Sequence, residues 1–370
     1  MSPANWQHLI GGRAIVTFRR FRNFVLIPLG VLLLLAIVAW RLAIHFLPSG
    51  TGPLTYYDYG PLDLQVDPVA LSEDDRALST IGRLDFICGV KVTSAHEAFG
   101  GFSGLIVADD GTSFLAMSDR GLLWTGDMAV DEPCPLRIRN NAIKISKAED
   151  KGLLMGLRGD VEALTQDADG NIYISIEHKH RVLMFSVPPE NDFTNLFGMK
   201  PSLLADMPDA DLLPPNGGVE ALASLASGKL LLITEDALNG DGTLKAWIFE
   251  NGVFEPLSYR PTEPFSPTDA TQLPSGDLLV LERFYSPLTG VAIRVCLVDG
   301  ALVRPGGLLT CQGIAEFRPP LTIDNMEGLA IRQNDSGETI LYMVSDDNFN
   351  NLQDTLLLMF RLLPEPEERP

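Results

Sequence analysis

The sequence is poor in positive charge. Its 370 residues hold 28 lysines and arginines against 48 acids, a net charge of −20. The deficit is uneven. Residues 1–47 carry five arginines (Arg13, Arg19, Arg20, Arg22, Arg41) and no acid, so the rest has 23 basic and 48 acidic residues, a balance of −25. Such a body repels nucleic acid and attracts cations, though acidic surfaces also serve plain solubility. Cysteine is scarce too. The four cysteines (Cys88, Cys134, Cys296, Cys311) form no C-x-x-C, which argues against a zinc or thioredoxin-like centre. There is no P-loop, no dinucleotide fingerprint, no H-E-x-x-H and no EF-hand, and the Gly101-Phe102-Ser103-Gly104 segment is not a G-x-S-x-G elbow. No long amphipathic helix is evident.

One long apolar run does occur. Phe24 to Trp40 is 17 residues without a charge, resuming from Leu42 to Leu47. Four arginines precede it, so the positive-inside rule places the N-terminus in the cytoplasm and exports the body. The run exceeds a signal core and lacks a clean A-x-A site, so a retained single-span anchor is expected, with a cleaved signal as the alternative. Export permits disulfides. Cys296 and Cys311 flank the turn at Asp299-Gly300 and are expected to pair, with Cys88 pairing to Cys134. The expected layout is a basic segment (1–23), an anchor (24–47), a spacer (48–80), one large domain (81–363) and a tail (364–370). Proline-rich residues 188–217 read as a lid or a surface loop.

The domain is built from a repeat. Five copies begin Ser103-Gly104-Leu105, Glu162-Ala163-Leu164, Glu220-Ala221-Leu222, Asp269-Ala270-Thr271 and Glu327-Gly328-Leu329. Each reaches a turn glycine (Gly111, Gly170, Gly228, Gly276, Gly337) and returns as an apolar run to a second acid: Asp119, Glu177, Glu235, Glu282, Asp346. The outward arms are 8, 8, 8, 7 and 10 residues long and the return arms 8, 7, 7, 6 and 9. Equal arms about a glycine make an antiparallel hairpin, whose ends lie side by side roughly 25 Å from the turn. Copies start 59, 58, 49 and 58 residues apart, the length of a four-stranded blade with loops. Five copies and an early strand at 84–92 predict an all-β, six-bladed β-propeller behind an N-terminal transmembrane helix.

The hairpin ends then crowd acids at one mouth of the propeller. Glu162, Glu220, Asp269, Glu327 and Asp346 are the candidate metal ligands, and hard oxygen donors at variable spacing suit calcium. Some of these acids could instead bond backbone amides between blades. Arg120 and Arg283 follow second-row acids and are candidates for binding an anionic substrate, or ion pairs with the acids. Glu177, Glu235 and His178 are candidate general bases. His178 and His180 share one face of a strand end, a pattern commoner on surfaces than at metals.

Phe102-Ser103-Gly104-Leu105, Ser118-Asp119-Arg120-Gly121, Val161-Glu162-Ala163-Leu164, Gly217-Gly218-Val219-Glu220-Ala221-Leu222 with Thr234-Glu235, and Leu281-Glu282-Arg283 together resemble a bacterial phytase-like family described as having "esterase-like activity of phytase". The likeness covers roughly 85–362. It implies a β-propeller and calcium-dependent hydrolysis of an ester or phosphoester. The Asp-Asp-Pro-Ala-x-Trp type signature of established β-propeller phytases does not occur, and phytate is not implied as the substrate. The expected partners are a small anionic or ester substrate and, through the N-terminal helix, the bacterial inner membrane, with the propeller in the periplasm or secreted if the segment is cleaved. The alternative is a non-catalytic propeller that binds a ligand or protein at the cell envelope.

Overall fold

In this computed structural model, the residues described are 61–96, 98–128, 134, 136, 138–145, 161–186 and 193–365. They form five sheets, antiparallel throughout except for one short edge strand. Blade one is Phe102–Val107, Ser113–Ser118, Leu122–Met128 and Ile138–Ile145. Blade two is Val161–Gln166, Ile172–Ile176, Arg181–Phe185 and Ser202–Asp206. Its last strand falls inside the proline-rich 188–217 segment.

Blade three is Val219–Ser224, Leu230–Leu238, Leu244–Glu250 and Val253–Arg260, with Leu308–Thr310 added in parallel at its edge. Blade four is Ser266–Gln272, Leu278–Ser286, Gly290–Val298 and Gln312–Phe317. Blade five starts with Asn325–Gln333, Thr339–Asp346 and Thr355–Leu362. Each innermost strand packs against that of the next blade, and Asn325–Gln333 returns to Phe102–Val107. The ring is closed with five blades.

The expected six blades are thereby corrected to five. The early strand, observed as Leu84–Ser94, does not found a sixth blade. It pairs antiparallel with Thr355–Leu362 and supplies the fourth strand that the fifth copy lacks. Leu64–Val69 then extends the same sheet outward. The physical reason is edge closure: an outer strand taken from the other end of the domain covers the edge of the last sheet and removes a free ladder. The expected transmembrane helix at 24–47 lies outside the described residues; among the described residues no helix is long and apolar enough to cross a membrane.

The core explains why second strands read as continuous apolar runs. Leu230, Leu231, Leu232 and Ile233 of blade three are all buried, with alternate residues packing toward opposite neighbouring blades. Leu341 and Met343 of blade five face blade four, while Tyr342 and Val344 face blade one. A strand sandwiched between sheets has no solvent face, so alternation disappears.

Both expected disulfides are present. Cys88–Cys134 joins the closing strand of blade five to the segment before the last strand of blade one, and Cys296–Cys311 ties two neighbouring segments of blade four. By the loop-entropy argument, a closed loop of 15 residues is worth about 3 kcal/mol and the 46-residue one somewhat more.

Candidate functional site

The inner hairpin of each blade slips register once, at the same point. The slips fall between Phe102 and Gly104, Val161 and Ala163, Val219 and Ala221, Pro267 and Asp269, and Met326 and Gly328. The bulged residues are therefore Ser103, Glu162, Glu220, Thr268 and Glu327. A bulge kinks the strand and re-aims its side chain, and such kinks recur beside functional sites. On the partner strand, one place beyond each bulge, stand Asp119, Glu177, Glu235, Arg283 and Asp346. Backbone N–H groups of Asp119 and Glu235 donate to Gly101 and Gly218 at 2.8 and 2.9 Å, while Arg283 and Asp346 pair with Ser266 and Asn325.

Blade four thus breaks the pattern. Its bulge is Thr268, not Asp269, and its return position is Arg283, not Glu282. Asp269 is fully buried and bonds backbone on two blades: Oδ1 accepts from Ala270 N at 2.8 Å, Oδ2 from Leu329 N at 2.6 Å. Burial pushes its carboxyl well above the usual range, against the pull of those two N–H groups. It ties blade four to blade five and stands apart from the other acids. Glu282 is also buried; its Oε1 accepts from Tyr259 Oη at 2.8 Å and Thr262 N at 3.3 Å. A carboxylate oxygen of Glu282 lies near the sulfurs of Cys296 and Cys311, but those sulfurs are bonded to each other, so the group is no metal site.

The remaining acids meet. Carboxylate oxygens of Glu177, Glu220 and Glu235 lie within 4.8 Å of one another. Glu162, Glu327, Asp346 and Asp119 complete the cluster electrostatically. Burial is the first cause that raises the carboxyls of Glu162, Glu220 and Asp346 well above the usual range, and repulsion from neighbouring acids adds to it. Glu327 is raised by burial as well, with Arg283 pulling against the rise. Asp119 is pushed up to about 6, mainly by burial, with Arg120 opposing the shift. At an effective dielectric of about 20, two like charges some 5 Å apart repel by roughly 3 kcal/mol.

Glu177 is only 6% exposed, and its Oε1 accepts from Gly217 N and, at 3.1 Å, from Gly218 N. Burial raises its carboxyl, and these two N–H groups draw it back. The Gly217-Gly218 pair lets the backbone approach this closely: Gly217 has φ +142°, and a Cβ on Gly218 would lie 3.0 Å from Glu177 Cγ and 2.9 Å from His180 Nδ1. His180 is itself buried, and desolvation holds its imidazole below the ordinary value.

Arg283 reaches into the cluster. Its Nη2 lies 3.5 Å from Glu235 Oε1 and 3.6 Å from Glu327 Oε1. Burial opposes its charge, but Glu327, Glu220 and Glu235 outweigh that and raise its guanidinium above the usual range. Arg120 stands beside Asp119 and stacks on an aromatic ring, with its guanidinium carbon 3.3 Å from the ring centroid of Phe349. Phe349 is positioned by Asp347, whose Oδ1 accepts from Phe349 N and Gly101 N, both at 3.0 Å. His178 lines an open groove of about 760 Å³ with Lys179, His180, Asp209 and Asp211. A cavity of about 430 Å³ lies toward the turn glycines, lined by Leu105, Leu164, Gln166, Asp167, Thr271 and Ile331, and does not include the acids.

Of the acids expected at the mouth, then, the structure brings together Asp119, Glu162, Glu177, Glu220, Glu235, Glu327 and Asp346 and sets Asp269 and Glu282 aside. The sequence reading placed Asp119 at the mouth without a separate chemical role and singled out neither Thr268 nor Phe349. The shortened arms of the fourth copy were the signal for Thr268: counted from it, the arms to Gly276 and on to Arg283 become 8 and 7. No sequence pattern marks Phe349.

No curated protein matches the chain. Among solved structures, it is similar to a structural-genomics protein provisionally named a gluconolactonase, at 14% identity and a TM-score of 0.39, over 81% of this chain and 94% of that one. It is also similar to a catalytically inactive virginiamycin B lyase from Staphylococcus aureus with quinupristin, at 9% identity and a TM-score of 0.36, over 82% and 90%. The N-terminal domain of Nup159 matches at 12% identity and a TM-score of 0.33, over 80% and 97%. None of these carries a functional argument. The family model described as "esterase-like activity of phytase" matches residues 97–349, more than half of the sequence, and the chain belongs to this phytase-like family.

Proposed function

We propose that the acid mouth holds one calcium ion and serves the hydrolysis of an ester or phosphoester. The observation that carries this is the Glu177, Glu220 and Glu235 triplet. Calcium takes oxygen ligands at 2.3–2.6 Å, so two ligands on one ion stand up to about 5 Å apart. Three carboxylate oxygens within 4.8 Å of one another meet that limit without rearrangement. The donor set is all oxygen, which suits a hard cation over a thiolate- or imidazole-seeking one. A cation also answers the charge problem, because the cluster has seven carboxyls (Asp119, Glu162, Glu177, Glu220, Glu235, Glu327, Asp346) and one embedded guanidinium, Arg283.

When bound, the ion supplies a Lewis acid for the ester or phosphoryl oxygen and acidifies a water. The residues do the rest. The Gly217 and Gly218 N–H groups fix Glu177, so its carboxylate is presented in one orientation. Asp119 accepts the proton: a carboxyl held at about 6 is matched to general-base work near neutrality, better than an ordinary aspartate. Arg120, fixed against Phe349 beside Asp119, offers a fork to the anionic part of a substrate. Membership in the phytase-like family supports hydrolysis as the reaction class.

The test is metal content and thermal melting with EDTA and after calcium add-back, followed by ester and phosphoester substrates on the same protein. Calcium-restored melting and turnover is the expected result, with both turnover and the calcium-induced rise in melting lost in Glu220→Gln while its metal-free melt is retained. Calcium binding without turnover on any substrate would favour a non-catalytic binding propeller. No calcium effect at all would sink both the metal and the mechanism.

A further inference from the structure

Arg283 occupies the place that an acid takes in each of the other four blades. The hydrogen-bond register fixes this: Ser266 pairs with Arg283 as Asn325 pairs with Asp346. The guanidinium is not tucked against one partner. Its Nη2 stands between Glu235 and Glu327 at 3.5 and 3.6 Å, distances of an ionic contact shared by two carboxylates. Arg283 Nε is buried without a hydrogen-bond partner. The side chain is thus held by charge more than by fitted hydrogen bonds, as an ion would be.

It also bridges a triplet acid to one outside the triplet. Glu235 belongs to the triplet with Glu177 and Glu220, whereas Glu327 does not; Glu327 feels the triplet acids as well as Glu162, Asp119 and Asp346, and Arg283 stands at that seam. We propose that Arg283 is a built-in second cation, which neutralises the Glu327 side of the mouth and limits the site to a single bound metal ion. A mouth with five acid return positions would hold a second divalent cation there; this chain places a covalently tethered charge instead. The inference deepens the calcium reading above and rests on it only for the ion on the Glu177 side.

The experiment is calcium titration by calorimetry of the full chain, wild type against Arg283→Gln and Arg283→Lys, with melting in EDTA alongside. One ion is expected for the wild type and for Arg283→Lys, which keeps the charge. Arg283→Gln should take up a second ion and melt below the wild type in EDTA, with calcium restoring the difference. A requirement of Arg283→Gln for calcium in order to fold is the same result in stronger form. One ion in all three proteins would overturn the role of Arg283 and leave the calcium reading standing. Binding by Arg283→Gln alone would overturn calcium in the wild type and support Arg283 as the resident cation. No binding by any of them, or an Arg283→Gln protein that stays unfolded at every calcium concentration, would overturn the proposal.

Discussion

Blades three and four carry the same hairpin, yet their acids do opposite things. In blade three the bulge delivers Glu220 to the mouth, where it lies beside Glu177 and Glu235. In blade four the acid stands one place later. Asp269 consequently turns into the wall and spends both oxygens on the backbone N–H groups of Ala270 and Leu329. Asp269 is fully buried and Glu220 partly so, and both have raised carboxyls. The difference is in what surrounds them: fixed peptide donors for Asp269, and, among the described residues, the charges of other acids and of Arg283 for Glu220. A shift of one residue on a strand separates a blade-to-blade tie from a member of the acid cluster, because strand side chains alternate faces.

The largest effect should come from breaking the tie. Asp269→Ala leaves two buried N–H donors without an acceptor and should cost roughly 2–5 kcal/mol in denaturant unfolding. Glu220→Gln should show the reverse sign. Without metal its stability should hold or rise by up to about 1 kcal/mol, since a like charge is lost, while the calcium-induced rise in melting temperature disappears. If Glu220→Gln proved as damaging as Asp269→Ala, the two acids would have the same role and the contrast would fail.

A third effect is on pH. Burial pushes the Asp119 carboxyl up to about 6 in the fold, above the ordinary aspartate value of about 3.9. Between those values the folded chain binds more protons than the unfolded one, so stability falls as pH rises. The melting temperature in EDTA should therefore decline from about pH 4 to pH 6, and the slope should flatten in Asp119→Asn. Saturating calcium should flatten it as well, by competing with the protons. The smallest effect is expected for Glu282→Gln. The amide oxygen can still accept from Tyr259 and Thr262, so stability should change by less than about 1 kcal/mol and calcium affinity should be unaltered.

Much of this was legible in the residues. Equal arms about Gly111, Gly170 and Gly228 gave the hairpins, and the spacing of Cys296 and Cys311 gave a disulfide that the structure contains. Two features were not. The blade number depends on where Leu84–Ser94 pairs, and its partner Thr355–Leu362 lies more than 250 residues away. No local pattern fixes a pairing over that distance; only the missing fourth strand of the last copy hints at it. The fourth copy was read one residue out because an aspartate and a glutamate sit where an acid was expected. Arm length was the better guide than residue type, since register is set by the backbone ladder and not by the charge it carries.

The closing strand has a bearing on biosynthesis. Leu84–Ser94 leaves the ribosome before any blade exists, and the edge it must cover is made last, when Thr355–Leu362 emerges. Until then the strand can only wait, with its ladder groups open to water or to another chain. Chain completion, rather than any single blade, is thus the event that lets the ring shut. Cys88 travels with the waiting strand, and Cys134 follows only 46 residues later, so the Cys88–Cys134 bond can tether that strand beside blade one until the last edge arrives.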